Sequence, residues 1–309
     1  MNGALLHVVA TILTILVVAS IAGFVLERRA KNEKALATVR NLNARTRSWW
    51  VMVAVLGGAI WAGATTTILL FALLSFTALR EFWTLTPARR GDQLALFLSF
   101  FVVLPIQYAL LLDGWYGLMA IFIPVYAFLI LPALSTLSGD AREFLARSAK
   151  VQWGLMLCVY AVSHAPALLL LDTGTPAALL LVWLVVVVQL SDVFQYVWGK
   201  LIGRRRFAPN ISPSKTLEGL IGGGLTAIGV GVLLHGLTPF SLWQAAAVSA
   251  VVVTAGFFGG FVLSAIKRDL GAKDWGYVIE GHGGVLDRVD SLTFAAPLFF
   301  HITRYFWTA

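Results

Sequence analysis

The stretch SAIKRDLGAKDWGYVIEGHGGVLDRVD, residues 264–290, decides how this chain is read. It places Lys267, Arg268, Asp269, Lys273, Asp274, Glu280, His282, Asp287, Arg288 and Asp290 within 27 residues of a protein that is only 12% charged. The apolar segments 242–266 and 291–308 flank it, and about 17–25 such residues suffice to cross a bilayer core. A membrane protein that gathers acids, bases and glycines at one interface points to chemistry on a highly charged substrate. Two carboxylates beside several cations suit a metal-bound phosphate.

The rest of the chain supports the membrane reading. Its 309 residues are 59% hydrophobic, whereas soluble domains are about 45–50% apolar and about 25% charged. Its 11 Trp and 20 Phe fit, since Trp favours membrane interfaces. The net charge of +8 matches Lys- and Arg-rich cytoplasmic loops, and no nucleic acid is expected as a partner. Cys158 is the single cysteine, so no internal disulfide forms. The first apolar run, 4–26, is too long for the roughly 7–15-residue core of a secretory signal and follows no basic stretch, so a retained helix is expected.

Clear spans are 4–26, 94–112, 116–134, 151–171, 177–198, 218–236, 242–266 and 291–308. The run 49–79 would be about 46 Å long as one helix, too long for a core of about 30 Å. It contains Gly57, Gly58 and Gly63 and the threonines 65–67. Basic residues in 27–48 and again at Arg80, Arg89 and Arg90 belong on the same side of the membrane, so 49–79 is expected to go in and come back as two short or re-entrant arms. The predicted fold is all-α: a polytopic integral membrane protein of about ten segments, both termini outside. Arg304 fits that orientation less well. The connections 199–217 and 267–290 then share the cytoplasmic face, which in a bacterial cell would be that of the inner membrane.

Asp192 lies in an apolar helix, where an ionisable residue is costly and faces a cavity or a partner. Lys200, Arg204, Arg205 and Arg206 follow, most simply as a positive anchor at the interface. Ser212, Ser214 and Thr216 are candidates to cap the next helix, whose N-terminus favours an anion, and Lys215 adds a point charge there. The spacing is not that of a Walker loop. His164, His235 and His301 stand alone on apolar segments and are expected to be packed, whereas His282 is flanked by glycines and followed by Asp287. Asp287 and Asp290, three apart, share one face of a helix that begins there. They can ligate one Mg²⁺ or cap the helix.

Ser264-x-Ile266-Lys267-Arg268, Lys273-Asp274 and His282 to Asp290 resemble the signature of the phosphatidate cytidylyltransferase (CDP-diacylglycerol synthase) family. Asp192, Tyr196, Gly199, Lys200, Gly203 and Ser212-Pro213-x-Lys215-Thr216-x-Glu218-Gly219 resemble its other motif. The likeness covers about 94–309, suggesting a membrane catalytic domain there and N-terminal membrane segments over 1–93. It implies that the phosphate of phosphatidic acid attacks the α-phosphate of CTP, forming CDP-diacylglycerol and releasing pyrophosphate. On this resemblance Lys267, Arg268, His282, Asp287 and Asp290 carry the reaction, and Asp287 and Asp290 hold Mg²⁺ or Mn²⁺, with K⁺ left open. Asp192, Lys200, Ser212, Lys215, Thr216, Glu218, Lys273, Asp274 and Arg288 contact the substrates. A homodimer is compatible with this reading.

Two positions depart from the family pattern. Gly260 stands where a further metal-site aspartate is usual, and Glu280 where a proline precedes the Gly-His-Gly-Gly run, so a divergent paralogue acting on another lipid phosphate, or binding without turnover, is an alternative. A transporter would spread its charges along a mid-membrane path, but here they cluster at one face. The Asp-rich motif of CDP-alcohol phosphotransferases is not seen.

Overall fold

The computed structural model describes residues 3–29, 32–278 and 283–308. Among these the architecture is all-α apart from one small hairpin. The long helices are α1 Gly3–Arg29, α2 Glu33–Ala62 and α3 Ala64–Leu85. They continue as α4 Arg90–Leu112, α5 Tyr116–Thr136, α6 Phe144–Leu170 and α7 Ala177–Leu201. The last three are α8 Leu217–Leu233, α9 Leu242–Asp269 and α10 Leu286–Trp307. Strands β1 Arg206–Ala208 and β2 Ser212–Thr216 pair antiparallel between α7 and α8. Among the described residues, 7 helices are long and apolar enough to cross a membrane: α1 from Val9, α3, α4, α5, α6, α7 and α9. The 17 residues of α8 make it shorter. α2 carries Arg40, Arg45 and Arg47, and α10 carries Asp287, Arg288, Asp290 and Arg304.

The run 49–79 does not form two short arms. α3 has 22 residues, about 33 Å at 1.5 Å per residue, and α2 has 30, reaching back to Glu33. Gly63 alone separates them, with φ 112°, a region that only glycine enters freely. Much of the basic segment 27–48 is likewise helical and packs antiparallel on α1. The Asn43 amide donates to Glu27 Oε2 at 2.7 Å and the Trp50 indole N–H to Ser20 Oγ at 3.0 Å.

Three helices contain a wide π turn: Ser99–Val103 in α4, Phe122–Ala127 in α5 and Met156–Ala161 in α6. Pro124 lies within the second and Pro105 just beyond the first, and a proline withholds an N–H from the regular ladder.

In lipid, apolar burial supplies little drive for helices to associate, so close backbone approach and interhelical hydrogen bonds carry the packing. α8 meets α7 through a glycine face. A Cβ on Gly219 would lie 2.7 Å from the Gln195 carbonyl oxygen, one on Gly222 would lie 2.9 Å from the Trp198 ring, and one on Gly223 would overlap the Gln195 backbone. Indole N–H groups seal the contact: Trp198 donates to Thr226 Oγ1 at 3.0 Å and Trp183 to the Gly231 carbonyl at 3.0 Å. At the end of the bundle that carries the charged connections, buried Arg147 of α6 ties α4 in place. It meets Asp92 at 2.7 Å and Asp140 at 3.0 Å and donates to the carbonyls of Asp140 and Arg142.

This packing separates two otherwise similar glycines. Gly223→Ala should destabilise the protein by about 1–3 kcal/mol, as overpacking does. Gly229→Ala, which meets nothing within 4 Å, should be neutral or stabilising by up to about 1 kcal/mol. Thermal unfolding in detergent checks this; equal midpoints would mean that α7 and α8 do not touch along this row.

Candidate active site

Four helices and the hairpin converge at that same end. α9 and α10 approach closely because α9 presents a glycine: a Cβ on Gly259 would lie 2.8 Å from the Asp290 carbonyl oxygen, whereas one on Gly256 would fit, 3.5 Å from that of Ser291. Lys267 near the end of α9 meets Asp287 in the first turn of α10 at 2.6 Å, both buried. The other oxygen of Asp287 accepts the backbone N–H groups of Trp275 at 2.8 Å and Gly284 at 2.9 Å. Gly283 turns beside it with φ 82°, where a Cβ would come within 2.8 Å of that oxygen.

A second cluster lies one helical turn deeper. Asp192 of α7 lies within electrostatic reach of Asp290 of α10, and of Lys215, Arg288 and the Ser291 hydroxyl. Asp290 in turn lies within electrostatic reach of Lys267 and Lys215. Lys215 comes from β2. Its ammonium lies 3.4 Å from the Phe257 carbonyl and 4.6 Å above the Phe257 ring, about 18 Å from the end of α9. The hairpin therefore reaches down among the helices, where the sequence suggested a surface connection. Burial pulls the Lys215 ammonium below the usual lysine range, and Asp192 and Asp290 act against that pull. Among the described residues, buried Arg288 Nε has no hydrogen-bond partner. Gly260 opens onto this cluster: a Cβ there would lie 3.2 Å from Ser291 Oγ, 3.4 Å from Lys215 Nζ and 3.5 Å from Asp290 Oδ2.

The structure thus brings together Asp192, Lys215, Lys267, Asp287, Arg288 and Asp290 from the residues expected at the site. It divides the acidic pair, however: Asp287 faces Lys267 and the backbone, whereas Asp290 lies within electrostatic reach of Asp192. Thr216 caps α8, accepting from Gly219 N at 3.1 Å, and Ser212 is buried on β2. Glu218 turns to the backbone N–H groups of Arg204 and Arg205 at 3.0 and 3.1 Å and so braces the hairpin. Arg268 donates to the carbonyls of Ile211 at 3.3 Å and Ala272 at 2.9 Å. Lys200 is exposed over the Tyr196 ring. Lys273 is exposed, and Asp274 lies beside Gly283. His282 and Glu280 lie outside the described residues.

One residue at the site was missed. Buried Glu81 of α3 accepts Val285 N at 2.9 Å and Leu286 N at 2.8 Å, holding the start of α10 where backbone N–H groups lack intrahelical partners. A Cβ on Gly276 would lie 2.9 Å from its carboxylate. The available signal was an acid between Arg80 and Phe82 near the end of an apolar helix, which by itself named no partner.

Among the described residues no group of three or more His, Cys, Asp or Glu converges on one point. Asp192 and Asp290 are two carboxylates within electrostatic reach of each other. Mg²⁺ is commonly held by one or two carboxylates plus substrate phosphates, so these residues fit it.

A sequence profile of the cytidylyltransferase family matches residues 43–306. The chain is 39% identical over 301 residues to a protein of Escherichia coli (strain K12) described as uncharacterized protein YnbB, covering 96% of this chain and 97% of that one. It is 30% identical over 193 residues to the phosphatidate cytidylyltransferase of Staphylococcus aureus (strain COL), covering 59% of this chain and 74% of that one. With the enzyme of the same name from Staphylococcus haemolyticus the identity is 40% over 114 residues, 36% of this chain and 44% of that one. The profile begins upstream of residue 94 and takes in α3 with Glu81.

Removing the Glu81 carboxylate leaves two buried N–H groups unpaired. Glu81→Ala should therefore cost about 2–6 kcal/mol at about 1–3 kcal/mol per group, and Glu81→Gln, which retains one acceptor oxygen, should cost less. Hydrogen exchange is the local readout: both variants should expose the Val285 and Leu286 amides, and unchanged protection there would refute the contact.

Proposed function

This chain belongs to the cytidylyltransferase family, and from that premise we propose that it transfers the cytidylyl group of CTP to phosphatidic acid. A phosphate oxygen of phosphatidic acid forms a bond to the α-phosphorus of CTP, the bond from that phosphorus to the bridging oxygen of the β-phosphate breaks, and pyrophosphate leaves. CDP-diacylglycerol is the product. The observation that carries this reading is the meeting of Asp192, Asp290, Lys215, Lys267 and Arg288 below the helix ends of a membrane protein. There, water-borne nucleotide and membrane-borne lipid are both within reach. We place this end on the cytoplasmic side, where CTP is found.

The chain's own residues suit the step. Its barrier is largely the repulsion among phosphates brought together at one phosphorus, so fixed cations aimed at the reacting centre supply much of the catalysis. Lys215 and Arg288 would meet the phosphates directly, with Lys215 restrained by Phe257. Lys267 is held by Asp287 and adds positive potential behind Asp290. Asp192 and Asp290 would hold Mg²⁺, which when bound offsets phosphate charge. Asp287 instead secures the turn from which Asp290 projects.

Purified protein in detergent should convert CTP and phosphatidic acid to CDP-diacylglycerol and pyrophosphate, with a requirement for Mg²⁺ or Mn²⁺. Lipid chromatography and pyrophosphate release measure this, and binding of both substrates without product would identify a non-catalytic paralogue. Asp192→Asn and Asp290→Asn should each lose most activity and Mg²⁺ binding while keeping the unfolding midpoint. Asp287→Asn should lose activity and lower the midpoint as well, because it breaks a buried ion pair. The reverse pattern would return the metal to Asp287.

Gly260→Asp tests the cluster from the other side. A carboxylate there enters between Lys215 and Asp290 and should lower the Mg²⁺ concentration needed for half-maximal rate. An unchanged cation dependence would mean that position 260 does not face the ion.

A further inference from the structure

We propose that β1 and α9 form the wall along which the apolar part of the phosphatidate substrate lies, with Phe207 and Phe261 as its contact surface and Lys215 at its polar end. This rests on the reading of the site given above and specifies where the lipid approaches. In the hairpin Arg206 pairs with Thr216 and Ala208 with Ser212, so Phe207 lies across from the stretch that carries Lys215. Both side chains turn to the same residue of α9. The Phe207 ring lies 5.2 Å from that of Phe257 and 5.4 Å from that of Phe261, and the Lys215 ammonium lies 4.6 Å over Phe257. Phe257 and Phe261 stack at 5.9 Å, one turn apart on either side of Gly260.

The surface that results changes character over a short distance. Phe257 is buried, so it joins the two ends without meeting a ligand itself, whereas Phe207 is 40% exposed. On α9, Phe258, its ring 5.5 Å from that of Phe257, is also exposed. Gly260 adds no side chain between the rings and the charged cluster. A phosphate at Lys215 would thus have hydrocarbon on one side and the carboxylates on the other, the arrangement that a phosphate monoester carrying two acyl chains requires. The alternative occupant of an aromatic wall, the cytosine base, would need polar partners along its edge, and the rings around Phe207 are phenylalanines.

The test places a photoreactive benzophenone amino acid at position 207 in the full-length protein, reconstituted in phosphatidylcholine nanodiscs with and without phosphatidate. Irradiation should attach phosphatidate, and excess non-crosslinkable short-chain phosphatidate should compete with it while CTP alone should not. Equal attachment of phosphatidylcholine, or attachment of CTP, would overturn the proposal. In parallel, Phe207→Ala should raise the KM for phosphatidate about tenfold, the loss expected from removing a half-buried ring contact, and leave the KM for CTP unchanged. Phe207→Leu should recover most of it. A shift that falls on CTP, or no shift at all, would also overturn the wall. Selective attachment of phosphatidate in a protein that never turns over would uphold the wall while refuting the transfer reaction.

Discussion

The ion pair between Lys267 and Asp287, 2.6 Å long and buried, is the contact on which the rest of this site depends. Losing one partner of such a pair leaves a buried charge uncompensated, at a cost of about 3–5 kcal/mol. Here the pair also organises backbone. The second oxygen of Asp287 accepts from Trp275 and Gly284, and Glu81 takes the next two N–H groups. Two carboxylates thereby fix the end of α9, Trp275 and Gly284 in the connection after it, and the first turn of α10. Asp290 is three residues further along that helix, and its position follows.

Below this clamp the structure meets the expense of keeping charges at membrane depth. Asp192 and Asp290 repel each other, and Lys215, Lys267 and Arg288 supply the opposing charge. This arrangement needs four chain segments within a few ångströms of one another. Glycine makes that possible twice, between α7 and α8 at Gly219 and Gly223, and between α9 and α10 at Gly259. A side chain at any of these positions would push apart the helices that carry the charges. The hairpin then brings Lys215 down to Phe257, so the polar centre sits beside aromatic rings of α9.

Much of this was legible from local pattern. Apolar runs of membrane-spanning length announced the helical class, and Asp192 inside one of them marked itself as anomalous. Thr216 read as a cap because capping depends on only a few neighbouring residues, and it caps. The two charged connections were rightly placed on one face, where Lys215 and Asp290 meet beside Gly260, but the finer contacts between elements were not legible. The run 49–79 was divided correctly near its glycines, but its arms proved to be long helices, because Gly63 alone suffices for the break. Asp287 and Asp290 share a helical face by spacing, yet one pairs with Lys267 and the other lies within electrostatic reach of Asp192.

What the sequence by itself determined is the membrane class and most of the charged residues that gather at one end, since both follow from composition and short-range order. The tertiary structure alone decided how those charges are paired, that Glu81 joins them from 204 positions away, and that a hairpin carries Lys215 into the bundle. The physical reason is that electrostatic partners are chosen by distance in space. In this fold, distance is set by where glycines let helices touch.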